Sequence, residues 1–337
     1  MNKAVQEEVV EEEVIEEIKE ETKEEITLET LPGVGAATAE KLREANKGTL
    51  LSLAVSSPGE LVQASGVTEK TARKIIQNAR NALDMGFQTG EELLKKAGNV
   101  GRITTGSKEL DKLLGGGVET GTITEMYGQF ASGKSQVGYQ LVVNAQLPKE
   151  KGGVDGGVVF LDTESTFRSE RIKQLAENAG LDPVKVLKNV KVAKCMNSDH
   201  QMLLTEKVSD IVEKEKFPVK LLIVDSLMSC FRSDFMGRGQ LADRQQKLNK
   251  HIHALQKLAD MHNIAVYVTN QVMSKPDTFF GDPTEPVGGH IVAHGMNPRV
   301  YLRKGKKGTR VAKLVDSSYL PETEAIYKIT EEGIKDV

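Results

Sequence analysis

The stretch Gly128-Gln129-Phe130-Ala131-Ser132-Gly133-Lys134-Ser135 constrains the fold more than any other part of the chain. It fits the pattern GxxxxGK followed by Ser or Thr, and it stands between an apolar run at 122–127 and a helix-patterned run at 134–147. A strand, a glycine loop and a helix in that order aim backbone N–H groups and the positive end of the helix dipole at one point, which suits phosphate. In that context the loop from Gly128 through Gln136 wraps the phosphates of a nucleotide. Lys134 reaches the outermost ones, and the Ser135 hydroxyl joins a magnesium ion.

Further apolar runs at 158–162, 221–225 and 264–269 read as strands, with helical stretches near 170–178, 199–214 and 244–262. Such alternation predicts an α/β class with a mainly parallel, doubly wound sheet. Near the end, runs at 299–303 and 310–315 flank a Lys/Gly turn and 325–330 adds another strand, an antiparallel extension of the same sheet.

The strand ends carry chemistry. Asp225 closes the run Leu221-Leu222-Ile223-Val224, where an acid can hold the water shell of the magnesium ion. Asp162-Thr163-Glu164 brings carboxylates to the same edge; Glu164 is the candidate to orient or deprotonate an attacking water, and Asp162 the structural one. Gln271, after Thr269-Asn270, is either a sensor of the terminal phosphate or a plain strand cap. The catalytic candidates are therefore Glu164, Lys134 and Gln271, and the metal candidates Ser135 and Asp225.

Ahead of this region the chain changes character. Residues 1–25 hold eleven Glu against Lys3, Lys19 and Lys23, a local charge of −8, so the total of −3 leaves +5 on the remaining 312 residues. Residues 1–26 are expected to be an acidic, disordered tail. At 27–84, Leu31-Pro32-Gly33-Val34-Gly35 leads into a helical pattern, with a weaker echo at Ser65-Gly66-Val67, which predicts a small helical domain. Gly33 and Gly35 allow a backbone to approach a nucleic-acid phosphate, or serve only as a glycine-capped turn. Residues 85–100 read as a linker with a short helix near 91–96. A body with excess positive charge permits nucleic-acid binding without requiring it. No apolar run approaches the roughly 20 residues that span a bilayer, and the acidic N-terminus is the reverse of a signal peptide. An intracellular chain without a membrane partner is expected. Cys195 and Cys230 are too few for a disulfide framework and too far apart for a metal pair, so reduced, ordinary cysteines are expected.

More segments extend the pattern: Thr105-Gly106-Ser107 with Leu113-Leu114-Gly115-Gly116-Gly117, Thr166-Phe167-Arg168, Gly237-Arg238-Gly239 with Arg244-Gln245-Gln246, and Gly288-Gly289-His290. With the phosphate loop, the strand-end acids and the Leu31–Gly35 turn, in this order and spacing, the chain resembles the archaeal RadA recombinases of the RecA-like strand-exchange family. The resemblance runs from about Leu31 to the C-terminus and leaves the acidic tail outside.

It implies a RecA-like P-loop ATPase core at 101–337 behind a helix-hairpin-helix DNA-binding domain. The implied activity is ATP-dependent homologous recombination in DNA repair, by filaments that coat single-stranded DNA, pair it with homologous duplex and exchange strands. The implied cofactors are ATP and Mg²⁺, with a monovalent cation near the ATP cap as a further candidate. The implied partners are single- and double-stranded DNA, copies of the chain in a helical filament or ring, and recombination mediators as candidates. The implied location is cytoplasmic and nucleoid-associated. An accessory paralogue without strand exchange, and a ring-shaped RecA-core motor, are the alternatives.

Residue by residue, the segment 230–241 with Arg232 and Arg238 resembles the first DNA-binding loop, and Arg244 a further phosphate contact; by themselves, arginines on a glycine loop also fit a solvated surface. The segment 272–293 resembles the second DNA loop, with Gly288 and Gly289 as contacts, while Phe279 and Phe280 either stack bases or pack against their own protein. Arg303 and Lys304, with Lys306 and Lys307, resemble a secondary site for duplex; a solubilising turn is the other reading. Phe87 and Gly90 resemble the polymerisation motif, in which the aromatic enters a neighbour's pocket. Asp316 and Pro321 resemble the cap over a neighbour's nucleotide, Arg168 the adenine-stacking residue, and His294 the switch between the second loop and the terminal phosphate across that interface. Gln129 and Ala131 depart from the more typical Glu and Gly, Ser318 replaces a usual Pro, and Met296-Asn297-Pro298 is also unusual; these bear on hydrolysis rate and filament strength.

Overall fold

Leu42, Leu53, Leu61, Ala72, Ile75 and Ala79 meet in a small apolar cluster because four helices, Ala36–Glu44, Leu50–Ala54, Pro58–Ser65 and Glu69–Ala82, each turn one face inward. The computed structural model describes residues 27–337 apart from 46, 84, 99, 214, 216 and 275–283. The acidic tail and the Phe279–Phe280 pair lie outside the described residues. Helix starts are written locally. Thr49 and Ser52 form a reciprocal capping box, Ser57 accepts from Glu60 N–H ahead of Pro58, and Thr68 accepts from Thr71 N–H. Gly33 sits at φ +99, and a Cβ there would stand 3.3 Å from Ile75 Cγ1, so the turn before the first helix needs glycine.

The chain divides into two compact units at Lys95/Lys96. The division falls inside the expected linker and within its helix Gly90–Ala97.

The second unit is built on nine strands: β1 Ile123–Gly128, β2 Gly157–Asp162, β3 Val190–Lys194, β4 Val219–Asp225, β5 Ala265–Asn270, β6 Arg299–Lys304, β7 Thr309–Asp316, β8 Glu324–Thr330 and β9 Gly333–Asp336. Their spatial order is β9-β8-β7-β6-β1-β5-β4-β2-β3. The six from β6 to β3 are parallel, and β7, β8 and β9 extend the sheet antiparallel. Strands β1, β2 and β5 are buried along their whole length, which is why they read as unbroken apolar runs. Successive residues still serve opposite faces. Val158 and Phe160 join the layer containing helix Lys134–Asn144, while Val159 and Leu161 join the layer containing helix Leu241–His262. The doubly wound α/β expectation holds.

Strands β3 and β9 were not foreseen. β3 is a half-exposed edge strand carrying Lys191 and Lys194, so its apolar signal is diluted. The segment 272–293 is also less irregular than its composition implies. Strands Val272–Ser274 and Thr284–Pro286 pair at its base, and a helix spans Gly289–Gly295. Likewise Arg232 sits on a helix, Ser229–Asp234, followed by a 3-10 turn at Arg238–Gln240, rather than on a glycine loop. Cys195 and Cys230 are buried and free, and burial pushes their thiols up to about 12 and about 11, which leaves them unreactive at neutral pH.

Candidate nucleotide site and the segments beside it

Because β1, β2, β4 and β5 run parallel, their carboxyl ends bring the phosphate loop, Glu164, Asp225 and Gln271 to one cavity of about 650 Å³. The loop hugs its own sheet. A Cβ on Gly128 would fall 2.1 Å from the Leu302 carbonyl oxygen, and one on Gly133, at φ +109, 2.6 Å from Ile329 Cδ1. Gly133 is also the N-cap of helix Lys134–Asn144, so the helix points its amide end into the cavity. Lys134 Nζ donates to the Gly128 and Gln129 carbonyls at 2.9 and 3.1 Å. Burial lowers its pKa, against the opposing pull of Asp225 and Glu164. A phosphate oxygen is a stronger acceptor for this ammonium than either carbonyl.

Asp225 accepts from Thr269 Oγ1, and desolvation raises its pKa against the lowering influence of the Thr269 and Ser135 hydroxyls. Its Oδ2 is buried without a hydrogen-bond partner among the described residues. An unsatisfied carboxylate oxygen beside a serine hydroxyl fits a hydrated hard cation such as Mg²⁺.

Asp162 accepts from the N–H groups of Glu164, Thr166 and Phe167 at 3.1–3.2 Å, so it shapes the turn that aims Glu164. Glu164 Oε1 accepts from Ser226 Oγ at 2.7 Å and from Gln271 Nε2 at 3.0 Å. The other end of the Gln271 amide, Oε1, accepts from Arg232 at 3.2 Å. Sequence reasoning placed Arg232 on a DNA segment and Gln271 at the nucleotide without foreseeing that they touch.

One side chain ties the start of the second segment to Val287 within it. Asn270 Nδ2 donates to the Val287 carbonyl at 2.7 Å and to Glu125 Oε1 at 2.8 Å, while Asn270 Oδ1 accepts from Gln271 N–H at 2.8 Å. Gly288, at φ +111, leaves no room for a side chain beside Val292, and its carbonyl accepts from Gln245 Nε2 at 3.2 Å. Arg244, one residue earlier on the same helix, has a buried Nε without a partner among the described residues.

The Rad51 family model matches residues 96–337, and the SAM-like helix-hairpin-helix tandem model matches residues 24–81. The DNA repair and recombination protein RadA of Aeropyrum pernix is 50% identical over 306 residues, 91% of this chain and 95% of that relative. The chain belongs to the Rad51 family.

The remaining positions singled out through the RadA resemblance lie outside the cavity. Arg168 is exposed and curls back to donate to the Ser165 and Phe167 carbonyls. Asp316 is exposed as the last residue of β7, Pro321 is exposed beyond it, and His294 is exposed in the last turn of its helix. Arg303 pairs with Glu324 at 3.2 Å, and Lys304 is exposed beside it. Phe87 is 111% exposed, and nothing lies within 4 Å of where a Cβ on Gly90 would stand, so the more usual Ala fits there too. Gly33 and Gly35 lie in the first unit, Gly35 as an N-cap.

Sequence reasoning missed Ser226, Thr269, Arg310 and Ile329, all of which line the nucleotide cavity. Ser226 and Thr269 adjoin recognised motifs, whereas Arg310 and Ile329 reach it only because β7 and β8 fold back beside the phosphate loop. Also missed was an apolar groove of about 530 Å³ along β3, floored by Val159, Leu161, Ala193, Leu204 and Ile211. Among the described residues no helix is long and apolar enough to cross a membrane.

Proposed function

We propose that this chain is an ATP-dependent recombinase of DNA repair that assembles on single-stranded DNA, pairs it with homologous duplex and exchanges strands. The observation that carries the reading is the convergence of Lys134, Ser135, Asp225 and Glu164 on one cavity, with Arg232 touching Gln271 at its rim. The loop amides and Lys134 hold the phosphates of ATP, and Ser135 and Asp225 hold Mg²⁺, which neutralises charge on the transferred phosphoryl group. Glu164 orients and deprotonates the attacking water, and Gln271 stands where its amide can respond to the terminal phosphate. The name carried by the Aeropyrum pernix relative, DNA repair and recombination, supports the same reading.

Assembly follows from two apolar features, the exposed Phe87 and the groove along β3. Phe87 of one copy enters the groove along β3 of the next, where Ala193 and Leu204 provide a floor and the edge strand is free on one side. DNA phosphates meet Arg232, Arg238, Arg244 and the Gly288–Gly289 backbone, contacts that position DNA without reading its sequence.

Joint-molecule formation between a labelled single strand and a homologous duplex, with ATP and Mg²⁺, tests the proposal against Lys134→Ala. Products confined to homologous duplex and lost in the variant are expected. ATP-dependent DNA binding with no product would overturn strand exchange in favour of an accessory paralogue.

A further inference from the structure

The amide of Gln271 is held from both sides by groups that leave it no choice of orientation. Arg232 has only donors, so it requires the carbonyl end of the amide; Glu164 as a carboxylate has only acceptors, so it requires the NH₂ end. Arg232 therefore fixes which end of Gln271 faces the carboxylate, and Glu164 Oε1 is filled by Gln271 and Ser226 together. Arg232 is itself exposed, on the short helix Ser229–Asp234 at the start of the first DNA segment.

We propose that Arg232 is a positioning residue that restrains ATP hydrolysis while DNA is absent. A DNA phosphate is a stronger acceptor for a guanidinium than a neutral amide oxygen. When phosphate takes Arg232, the carbonyl of Gln271 loses its donor and the amide is free to turn. Its NH₂ group can then leave Glu164 for the terminal phosphate, and Glu164 Oε1 keeps only the Ser226 hydroxyl, which leaves the carboxylate a stronger base toward water. The single contact thus links DNA occupancy to the hydrolytic carboxylate through one rotatable side chain, with no rearrangement of the sheet. This rests on the proposed roles of Glu164 and Gln271.

The test is steady-state ATP hydrolysis by the full chain, with and without a single-stranded oligothymidine at concentrations that saturate binding. In Arg232→Ala, the DNA-free rate is expected to rise about two- to tenfold, the worth of one hydrogen bond, and the ratio of DNA-stimulated to DNA-free rate to fall toward one. Arg232→Gln is measured alongside, with a fluorescent ATP analogue reporting that the nucleotide site is intact. Adding Arg232→Ala to Gln271→Ala should leave the DNA-free rate unchanged, because the partner is already gone. An unchanged or lower DNA-free rate in both Arg232 variants, with full stimulation recovered at higher DNA concentration, would make Arg232 a plain phosphate contact and overturn the restraint. Undiminished hydrolysis in Glu164→Gln would instead overturn the parent reading of the site, and the restraint with it.

Discussion

Arg299 Nε lies 2.7 Å from Glu125 Oε2, with only 8% and 0% of the two side chains exposed. The pair does more than fill the sheet. Glu125 Oε1 accepts from Asn270, and Asn270 in turn holds the Val287 carbonyl and the Gln271 N–H. A buried ion pair thus sits behind Gln271, which lines the cavity.

Removing one partner should be costly, because a buried charge is then left uncompensated. Arg299→Met is expected to destabilise the core unit by about 3–5 kcal/mol, and the double variant Glu125→Gln with Arg299→Met by less. Urea unfolding read by circular dichroism checks this. Equal losses in single and double variants would mean the two side chains do not compensate each other.

Ala131 occupies φ +60 in the phosphate loop, where a Cβ costs about 1 kcal/mol that glycine avoids. Ala131→Gly is expected to raise the melting temperature of the core by about 2–4 °C, measured by calorimetry. An unchanged or lower value would show that the loop pays no such strain.

His251 is buried against Phe231, with its Nε2 3.1 Å from the Gln201 amide nitrogen. Burial lowers its pKa from 6.5 to about 4. Below pH 6.5 the unfolded chain takes up a proton that the folded chain refuses until about pH 4, so stability is full above 6.5 and falls as pH drops through that window. The loss reaches about 3 kcal/mol at its limit. Urea midpoints at pH 7 and pH 5 should diverge less in His251→Gln than in the native chain; equal divergence would assign the pH dependence to other groups.

Phe87→Ala, and Ala193→Asp in the groove along β3, are each expected to weaken self-association by on the order of 2 kcal/mol or more, roughly thirtyfold in affinity. Sedimentation velocity with ATP provides the measurement. Normal assembly in both variants would remove the groove from the interface.

The phosphate loop, the strand-end acids and the two small-domain turns were legible because each is a local pattern whose physics needs only neighbours in sequence. The fully buried strands were legible for a related reason, since burial on both faces demands unbroken apolar runs. β3 was not, because an edge strand is half solvated and tolerates lysines. The paired strands Val272–Ser274 and Thr284–Pro286 were hidden among prolines and glycines that by themselves indicate irregular chain.

From the sequence alone come the α/β alternation, the phosphate loop with Lys134 and Ser135, the acids at Glu164 and Asp225, and the family resemblance that ordered them. Only the tertiary structure decided that Arg310 and Ile329 line the same cavity as the phosphate loop, that an apolar groove runs along β3, and that Arg232, Gln271 and Glu164 form a single chain of hydrogen bonds. Those contacts join residues 39 and 107 positions apart. No spacing rule reaches that far, because the distance between them is set by the order in which parallel strands pack, not by the chain that connects them.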